Sequence, residues 1–521
     1  MSKQTRYVTT PIYYVNDRPH IGHVYTTTLC DVYARAMRSV GHDVFFLTGT
    51  DEHGVKVEQS ALEKGMTPQA LADQNSAEFQ SIMGMFNLTS DAFIRTTSSE
   101  HTKQVQTFVA KLLERGDVYL GTFEGWYDEG QEEYHTETSA RELEYKSPIS
   151  GKPLVRATEN NYYFKLSAYQ GRLEQLFETN PAFVRPSSRR NEVLGRFADG
   201  LQDVPISRTN FSWGIPMPSN DEHVIYVWID ALFNYITALG LGDHASDWYK
   251  ERSEFWPASY HVIGKEILWF HAVIWPAVLM ALELPLPNCI YAHSFWISEG
   301  KKMSKSLGNF IDLATVESYI EKYNMDAWRY YLVTQGPLGA TDADFVATRF
   351  QEIYNAHLVN TVGNSTSRVT AMLNKYFDGV VPPEVDGETR VEVTGFDWPT
   401  KCEAALLQWT SAMEAFELTK ATEEAMGLIR DVDLFINDTA PFTLAKDESK
   451  QKELGAILYQ CIETLRIAML LLSPVIPSKT EEFLVAIQAD LCIGNIQELA
   501  RWGGAQPGSS VSKVALFPRV K

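Results

Sequence analysis

The sequence predicts an α/β protein built on a doubly wound parallel sheet, which an insertion interrupts and an all-α helical bundle follows. Apolar strand-like segments alternate with amphipathic helical segments near the N-terminus and again after residue 222. Between these regions the pattern changes to short aromatic strands, and after about residue 345 it is almost entirely helical. Strands separated by helices of this length are typical of parallel sheets.

The size and composition of the chain fit a multidomain globular protein. A chain of 521 residues exceeds what one hydrophobic core usually holds. Five scattered cysteines without a Cys-x-x-Cys pair predict reduced thiols rather than a disulfide framework. The net charge of -20 disfavours nonspecific coating of nucleic acid, so a nucleic-acid partner would need local basic patches. Two such patches exist, "RPSSRRNEVLGR" and "GKKMSKS", and each could equally be solvated surface.

Residues 1–117 predict the first half of the sheet. "RYVTTPIYY" and "HDVFFLTGT" are typical of strands, and the segment between them predicts a helix that ends at Gly41. The next helix has Thr67 as its N-cap and Pro68 at its first position, and a further helix stops at Gly116.

Residues 118–222 predict an insertion, and "YKSPISGKPL" within it has the outline of a zinc knuckle. Ser147 and Ser150 stand where a knuckle has cysteines, while Asp128 and Gln131 repeat the two-residue spacing upstream. Neutral amide and hydroxyl oxygens are poor zinc ligands, and His135 alone cannot compensate. We therefore expect no structural zinc, but a turn retained over an aromatic core supplied by "GWY", "EEYH" and "NYYF".

Residues 223–295 predict the second half of the sheet, with strands in "EHVIYVW", "SYHVIG" and "NCIYAHSFWI". The very apolar segment 262–287 carries several charged residues and Pro276, so it predicts a buried helix rather than a membrane span. The last third of the chain predicts a helical bundle.

A first motif with chemical meaning, His20-Ile21-Gly22-His23, opens the first helix shortly after the first strand. Unpaired amides and the positive end of the helix dipole suit a phosphate there, Gly22 permits close approach, and two imidazoles add donors. At this point the alternative, two histidines that cap an ordinary helix, stays open.

A second motif, Lys302-Met303-Ser304-Lys305-Ser306, lies in a polar loop after a late strand. Two mobile lysines beside hydroxyls can follow a triphosphate as charge moves onto the leaving pyrophosphate, which stabilises the transition state more than the ground state. By itself this segment could equally be a solvated basic loop.

Together, in this order across one interrupted sheet, the two motifs resemble the class I aminoacyl-tRNA synthetases. Further segments narrow the resemblance to the methionyl-tRNA synthetase family: "TPIYYVNDRPHIGH", "TGTDEHG", "ISRTNFSWGIPMP", "YVWIDALFNY", "HVIGKEILWFHAVIWPA", "AHSFWISEGKKMSKSLGN", "VNTVGNSTSR" and "LFPR". The resemblance covers the whole chain. It implies a Rossmann-type catalytic sheet that activates L-methionine with ATP and Mg²⁺ to methionyl-adenylate and pyrophosphate, then transfers methionine to the 3′ end of tRNA(Met).

The resemblance also implies an ATP site. The residues implied to bind ATP are His20, Gly22, His23, Gly264, Glu266, Lys302, Ser304 and Lys305. Among them His20, His23, Lys302 and Lys305 would act on the reacting phosphates, and Gly264 and Glu266 would lie near the ribose. The family usually has Asp at the position of Glu266, but a longer carboxylate can still accept from ribose hydroxyls.

The amino-acid pocket has an argument from chemistry as well. Trp228, Ala231, Leu232 and Tyr235 fall on one face of a helix, and an aromatic face suits a polarizable thioether, although the same stripe could be core. The resemblance implies a methionine site formed by Ile12, Tyr14, Asp51, Trp228, Ala231, Leu232, Tyr235, Ile267 and His271. Asp51 would hold the α-ammonium, or else cap the following helix. Arg208 would face substrate, or else form a surface salt bridge.

The resemblance implies an anticodon-binding bundle, in which Asn364 and Arg368 read base edges and Phe442 stacks on a base where the family commonly has Trp. The implied domains are the two halves of the Rossmann catalytic domain (1–117 and 223–295), the connective insertion with its return helices (118–222), the region of the Lys302 loop and stem contact (296–349), and the anticodon-binding domain (350–521). We expect a cytoplasmic monomer, without the family's C-terminal dimerisation module and without a membrane partner, that binds tRNA(Met), including the initiator.

Two other functions are compatible with the same motifs. One is a synthetase for Leu, Ile, Val or Cys, but the insertion is too short for a large editing domain, and no zinc site for a Cys-specific pocket is present in the sequence. The other is a tRNA-binding protein that has lost catalysis, although the expected phosphate-binding residues are all present.

Overall fold

The computed structural model describes residues 4–16, 18–128, 133–135, 137–303, 309–384, 396–490 and 495–520. The strands are β1 Thr5–Thr9, β2 Tyr13–Tyr14, β3 Asp43–Asp51, β4 Ala92–Arg95, β5 Val118–Asp128, β6 Glu133–His135, β7 Val155–Phe164, β8 Val184–Arg185, β9 Val204–Pro205, β10 Ser207–Arg208, β11 Pro216–Met217, β12 Asn220–Ile225, β13 Tyr260–Gly264, β14 Ile290–His293, β15 Trp296–Ser298, β16 Lys301–Lys302 and β17 Ala343–Phe345.

The helices that surround the strands are α1 Ile21–Val40, α2 Val55–Glu63, α3 Pro68–Met85, α4 Ser99–Glu114, α5 Glu137–Glu142, α6 Gln170–Thr179, α7 Ser187–Phe197, α8 Val227–Thr237, α9 Asp247–Arg252, α10 Trp275–Ala281, α11 Leu313–Tyr323, α12 Met325–Gln335, α13 Ala347–Ile353 and α14 Asn364–Tyr376. Short 3₁₀ turns lie at Leu166–Tyr169, Ser253–Phe255, Lys265–Ile267 and Glu448–Lys450, and π-helical segments lie at Phe270–Ile274 and Tyr354–Gly363.

The central sheet has seven strands in the order β2-β3-β1-β13-β14-β8, and β4 also pairs with β3. Every pair in it is parallel, which confirms the predicted α/β class. From β1 the chain builds outward through β3 on one side, and after the insertion it returns as β13 on the other side. In open parallel sheets this change of direction leaves a crevice beyond the carboxyl ends of the central strands.

The insertion folds as an antiparallel sheet in the order β6-β5-β7-β9. Strands β5 and β7 form a long ladder from Val118↔Phe164 to Tyr127↔Val155. One strand within the range 118–222 behaves differently, since β8 pairs in parallel with β14 at the edge of the central sheet. The domain boundaries stay a prediction, but this edge strand belongs to the central sheet.

The knuckle-like turn is held by a hydroxyl. The buried Oγ of Ser147 accepts from the backbone N–H of Ile149 at 3.4 Å and of Ser150 at 3.1 Å, where a knuckle would use a sulfur. Gly151 has φ +70, which this tight turn requires. Beside it, the rings of Trp126 and Tyr145 lie 4.7 Å apart. Gln131 lies outside the described residues, and among those described no group of three His, Cys, Asp or Glu side chains could hold a metal ion.

Two small sheets connect the halves of the catalytic region to their surroundings. One has the order β10-β12-β11 and leads into α8. The other has the order β16-β15-β17 and leads from β14 into the loop that contains Lys302.

The last third of the described chain is a helical bundle, as predicted. A continuous helical segment runs through α13, the π-helical segment Tyr354–Gly363 and α14. The other helices of the bundle are Trp398–Glu414, Leu418–Thr439, Pro441–Leu444, Gln451–Leu472, Pro477–Ala486 and Ile496–Leu499. The segment Glu448–Leu472 is long and apolar enough to cross a membrane, but its most apolar window is wholly buried inside the bundle, as in a core helix.

A buried ion pair joins the bundle to the catalytic region. Arg329 of α12 donates to Asp31 of α1 at 2.6 Å and to the carbonyl oxygens of Pro474 and Val475. Both charged side chains are almost completely buried, and Asp31 also accepts from Arg35. Burial tends to raise the pKa of Asp31, but the two guanidinium groups outweigh it and hold the pKa below its ordinary value.

Candidate functional site

A cavity of about 410 Å³ opens at the carboxyl ends of the central strands. Asp51, Gly264 and His293, the last residues of β3, β13 and β14, all line it. The cavity brings together all nine residues of the predicted methionine site: Ile12, Tyr14, Asp51, Trp228, Ala231, Leu232, Tyr235, Ile267 and His271. It also contains five of the eight residues of the predicted ATP site: His20, Gly22, His23, Gly264 and Glu266.

The two histidines of the first motif cap α1 and line the cavity at the same time. Nδ1 of His20 accepts from the backbone N–H of Gly22, and Nδ1 of His23 accepts from the backbone N–H of His20, both at 3.1 Å. Because each Nδ1 accepts, the proton of a neutral ring lies on Nε2, which can donate to a ligand. Burial, with the neighbouring His20, lowers the pKa of His23 well below its ordinary value. The capping and phosphate-binding interpretations are therefore compatible.

At two glycines of the cavity wall, an added Cβ would displace a neighbouring side chain. A Cβ on Gly22 would lie 2.9 Å from Cε1 of His20, closer than side chains tolerate. A Cβ on Gly264 would lie 2.7 Å from Oε1 of Glu266, so the glycine lets this carboxylate fold back over the end of β13. Although Glu266 is exposed to the open cavity, the surrounding protein reduces its hydration and raises the pKa of its carboxyl.

One face of α8 forms an apolar wall, as predicted. Trp228 stacks on Phe270 with ring centroids 4.2 Å apart, while Leu232 and Tyr235 are buried behind it. This wall has the aromatic and aliphatic character that suits a thioether chain.

His271, which faces Tyr235, has a fixed tautomer. Its Nδ1 lies 3.0 Å from the carbonyl oxygen of Ile267, which can only accept, so Nδ1 carries the proton. Nε2 therefore accepts from the hydroxyl of Tyr235 at 2.7 Å. Burial lowers the pKa of His271 to about 4, so the ring is neutral at physiological pH. His271 lies in the π-helical segment Phe270–Ile274, a distortion that often occurs at functional sites.

Asp51 faces the cavity and does not cap a helix. The N-cap of α2 is Gly54, which has φ +105 and no side-chain cap, so the capping interpretation of Asp51 is wrong. The turn after β3 is instead held by Trp213, whose Nε1 donates to the carbonyl oxygen of Glu52 at 2.6 Å. The carbonyl oxygen of Trp213 accepts from Gly54 N–H at 2.9 Å.

Several cavity residues were not predicted from the sequence. They are Pro11, Tyr13, Thr26, Lys56, Val227, Asn234, His293 and Phe295. His293 lies inside the predicted strand segment "NCIYAHSFWI", so its position at the carboxyl end of β14, where ligands bind to parallel sheets, is known only from the structure. Its Nδ1 donates to the carbonyl oxygen of Ser294 and its Nε2 accepts from Thr26 at 2.7 Å. Burial lowers the pKa of His293 to about 4, so this ring is also neutral at physiological pH.

Three predicted ATP-site residues are not placed in the cavity. Lys302 is exposed on β16 and does not line it, while Ser304 and Lys305 lie outside the described residues. Their roles stay a prediction.

Arg208 is buried, so its interpretation as a surface salt bridge is wrong. Its guanidinium carbon lies 4.3 Å from the ring centroid of Tyr226 and 6.0 Å from that of Tyr127. It thereby connects β5 of the insertion to the start of α8 and does not line the cavity.

The three residues of the predicted anticodon site lie on the bundle. Asn364 is exposed at the start of α14, and Phe442 is 48% exposed after the helix Leu418–Thr439. Arg368 donates to Oδ1 of Asn437 at 3.1 Å, and Asn437 precedes Phe442 by five residues in the sequence. The arrangement leaves amide, guanidinium and aromatic groups at the surface of the bundle.

Comparison with known proteins gives a consistent result. The family described as tRNA synthetases class I (M) matches residues 6–148 and 139–370. The methionine–tRNA ligase of Halalkalibacterium halodurans is 41% identical over 533 aligned residues, which cover all of this chain and 79% of that protein. The methionine–tRNA ligase of Rickettsia felis is 42% identical over 520 aligned residues, which cover 99% of both chains.

Solved structures of a third relative share the fold. Mycobacterium tuberculosis methionyl-tRNA synthetase in complex with methionyl-adenylate is 34% identical and has a TM-score of 0.90. The match covers 99% of this chain and 100% of that chain. The apo form of that protein is 31% identical and has a TM-score of 0.84, and the match covers 100% of this chain and 99% of that chain. Because relatives that match this chain over its full length are 31–42% identical, and because the cavity is built from the expected residues, the chain belongs to the methionine–tRNA ligase family of class I tRNA synthetases.

Proposed function

We propose that this enzyme activates L-methionine with ATP to methionyl-adenylate and pyrophosphate, then transfers methionine to the 3′ end of tRNA(Met). The observation that carries the proposal is the single cavity, which joins an apolar aromatic wall to a helix N-terminus suited to phosphate. The two substrates of an amino-acid activation step therefore have adjacent places at the carboxyl ends of one parallel sheet.

In the activation step, Asp51 holds the α-ammonium of methionine, and the α8 wall takes the thioether chain. A methionine carboxylate oxygen then attacks the α-phosphorus of ATP, a new P–O bond forms, and the bond to the leaving pyrophosphate breaks. No side-chain nucleophile is needed, because the protein supplies position and complementary charge. Mg²⁺ enters with the phosphates of ATP, as part of that substrate.

The phosphate-side residues act through donors. Nε2–H of His20 and of His23 donates to phosphate oxygens, and because burial lowers the pKa of His23, that ring donates without adding a fixed charge to the site. Glu266 accepts from ribose hydroxyls beside Gly264. Lys302 and Lys305, with Ser304, follow the charge that develops on pyrophosphate and so stabilise the transition state more than the ground state.

In the transfer step, a hydroxyl of the 3′-terminal ribose of the tRNA attacks the carbonyl carbon of the adenylate, and AMP leaves. The insertion, residues 118–222, positions the acceptor end over the cavity without zinc. Asn364, Arg368 and Phe442 contact the anticodon. We further propose that the protein is a cytoplasmic monomer that serves both initiator and elongator tRNA(Met).

ATP–pyrophosphate exchange, measured with each amino acid in turn, tests the proposal. We expect exchange with methionine and little with any other amino acid. Exchange with leucine, isoleucine, valine or cysteine but not methionine would assign another substrate within the class. Absence of exchange with every amino acid, together with binding of tRNA, would instead indicate a tRNA-binding protein without catalysis.

A further inference from the structure

A buried row of polar side chains crosses the protein behind the amino-acid pocket. Oδ2 of Asp230 lies 2.6 Å from Nδ1 of His53, and Oδ1 of Asp230 lies 2.7 Å from Nε2 of His101. Nδ1 of His101 in turn lies 2.7 Å from the hydroxyl of Thr237. Asp230, His101 and Thr237 have no exposed surface, and His53 is 7% exposed.

A carboxylate at this depth is stable only because both of its oxygens are paired. Burial tends to raise the pKa of Asp230, but the attraction and hydrogen bonds of His53 and His101 outweigh it and hold the pKa below its ordinary value. Breaking such a buried pair from one side leaves an uncompensated charge, which is far more costly than the loss of a surface ion pair. The row is therefore a rigid connection among three elements: the turn after β3, α4 and α8.

Asp230 faces away from the pocket. At 3.6 residues per turn, Asp230 and Thr237 lie on the side of α8 opposite to the wall formed by Trp228, Ala231, Leu232 and Tyr235. The rear face of α8 is thus held through hydrogen bonds to α4 and to the turn after β3, while its front face forms the predicted thioether site.

His53 connects the row to the other end of the amino acid. It lies two residues after Asp51, the predicted holder of the α-ammonium, and its ring packs edge-on against Trp213 at 5.3 Å. Trp213 also holds the backbone on both sides of His53, through Glu52 and Gly54. A displacement of His53 would therefore move Asp51 relative to α8.

We propose that His53 and Asp230 are positioning residues that set the distance between Asp51 and the thioether-binding wall of α8, with His101 as their anchor on α4. This inference rests on the proposed function, since it concerns the binding of methionine. Neither side chain touches the reacting atoms. Their effect is on the fit of the amino acid, and the phosphate end of the cavity, built on the N-terminus of α1, is independent of them.

The test compares His53→Ala with His53→Asn, whose amide can replace the Nδ1–H donor. His53→Ala removes one buried hydrogen bond to a charged group. We expect the KM for methionine to rise about tenfold or more and the KM for ATP to stay unchanged. His53→Asn should recover most of the affinity for methionine. His101→Gln keeps a donor near the position of Nε2, so its KM for methionine should also stay near that of the wild type. Lys103→Ala is the matched control, because Lys103 lies on α4 and pairs with Asp243 at an exposed position. It should change neither KM.

A merely structural role would give a different pattern. Two results would overturn the proposal. One is an equal rise in the KM for methionine and the KM for ATP in His53→Ala. The other is a KM for methionine in His53→Asn that stays as high as in His53→Ala at the same folded fraction. Where His53→Ala lowers the folded fraction, the double variant His53→Ala/Asp230→Asn removes the uncompensated charge and should show the same selective rise in the KM for methionine. The dissociation constant for methionine, measured by calorimetry, separates the two proposals. Wild-type protein that binds methionine but shows no exchange contradicts the proposed function alone, and a dissociation constant unchanged in His53→Ala contradicts the positioning role alone.

Discussion

The hydroxyl of Tyr235 donates to Nε2 of His271 at 2.7 Å, at the side of the cavity where the methionine side chain is expected. Because Nδ1 of His271 donates to the carbonyl oxygen of Ile267, this bond exists only while the ring is neutral. Protonation of His271 would give Nε2 a hydrogen and remove the acceptor. The pair therefore keeps this side of the pocket uncharged, which suits a thioether better than a cationic side chain.

A pH dependence of stability follows from the pKa of His271, about 4 in the folded state. In the unfolded chain this histidine titrates near pH 6.5, so between about pH 6.5 and 4 the unfolded state binds the extra proton. The contribution of His271 to the free energy of unfolding should therefore fall as pH drops through this window and level off below it. Urea denaturation at pH 7 and pH 5 measures the slope. His271→Gln removes one titrating group, so its slope should be smaller than that of the wild type, and an equal slope would contradict the assignment.

Gly22→Ala should reduce adenylate formation while leaving the binding of methionine nearly unchanged. The added Cβ would collide with Cε1 of His20 at 2.9 Å and move the ring that is expected to donate to phosphate. Loss of one such donor typically lowers the rate by about 10²-fold or more. Pyrophosphate exchange measures the rate, and calorimetry measures the binding of methionine. Gly171→Ala on α6 is the control, since its Cβ would meet nothing within 4 Å. A full rate in Gly22→Ala would remove His20 from the phosphate site.

How far the sequence predicts this fold depends on the range of the interactions. Helix α1 was placed within a residue, because His20 at the N-cap and Gly41 at φ +99 are local signals. Strand β8 has only two residues and exists because it pairs with β14, more than a hundred positions away, so no local pattern could indicate it. The connection of Asp230 to His53 and His101 spans 177 and 129 residues and is equally invisible in spacing.

The candidate site was easier to predict than its supporting contacts. The helical stripe from Trp228 to Tyr235 is visible as a short pattern, but the pattern alone fits a core face as well. Ile12, Tyr14, Ile267 and His271 are implied only by the family resemblance. The basic patch "RPSSRRNEVLGR" shows the opposite case, since Arg189 donates to Ser294 and to the carbonyl oxygen of Ala340 and so holds structure together. The sequence does not show whether an arginine is solvated at the surface or holds the structure together, because only tertiary contacts distinguish the two roles.

Lys305→Ala should lower adenylate formation strongly while the affinity for methionine changes little. The reason is chemical, because a lysine that follows the charge onto pyrophosphate contributes to the transition state and not to the binding of the amino acid. Single-turnover formation of adenylate measures the effect. Lys301→Ala, on an exposed strand residue of the same loop region, is the control and should retain its rate. If Lys305→Ala forms adenylate at the wild-type rate, this lysine does not act on the reacting phosphates.

The last prediction concerns the turn around Ser147. Its buried hydroxyl accepts two backbone N–H groups of exposed residues, so Ser147→Ala removes both hydrogen bonds from the turn and should destabilise the insertion by about 1 kcal/mol or more. Ser150→Ala is the matched control, because Ser150 is exposed and its Oγ accepts one long hydrogen bond from Lys152 N–H at 3.3 Å, so its effect should be smaller.

Transfer to tRNA should decline in Ser147→Ala while pyrophosphate exchange persists, since the insertion is expected to position the acceptor end and not the adenylate. Metal analysis completes the test. Wild-type protein that has been treated with a chelator and returned to Mg²⁺ should retain its stability and transfer activity, because the Ser147 hydroxyl holds the turn that a zinc-bound thiolate holds in a knuckle. One tightly bound zinc per chain, or a loss of transfer on chelation that zinc restores and Mg²⁺ does not, would show that this turn is a metal site.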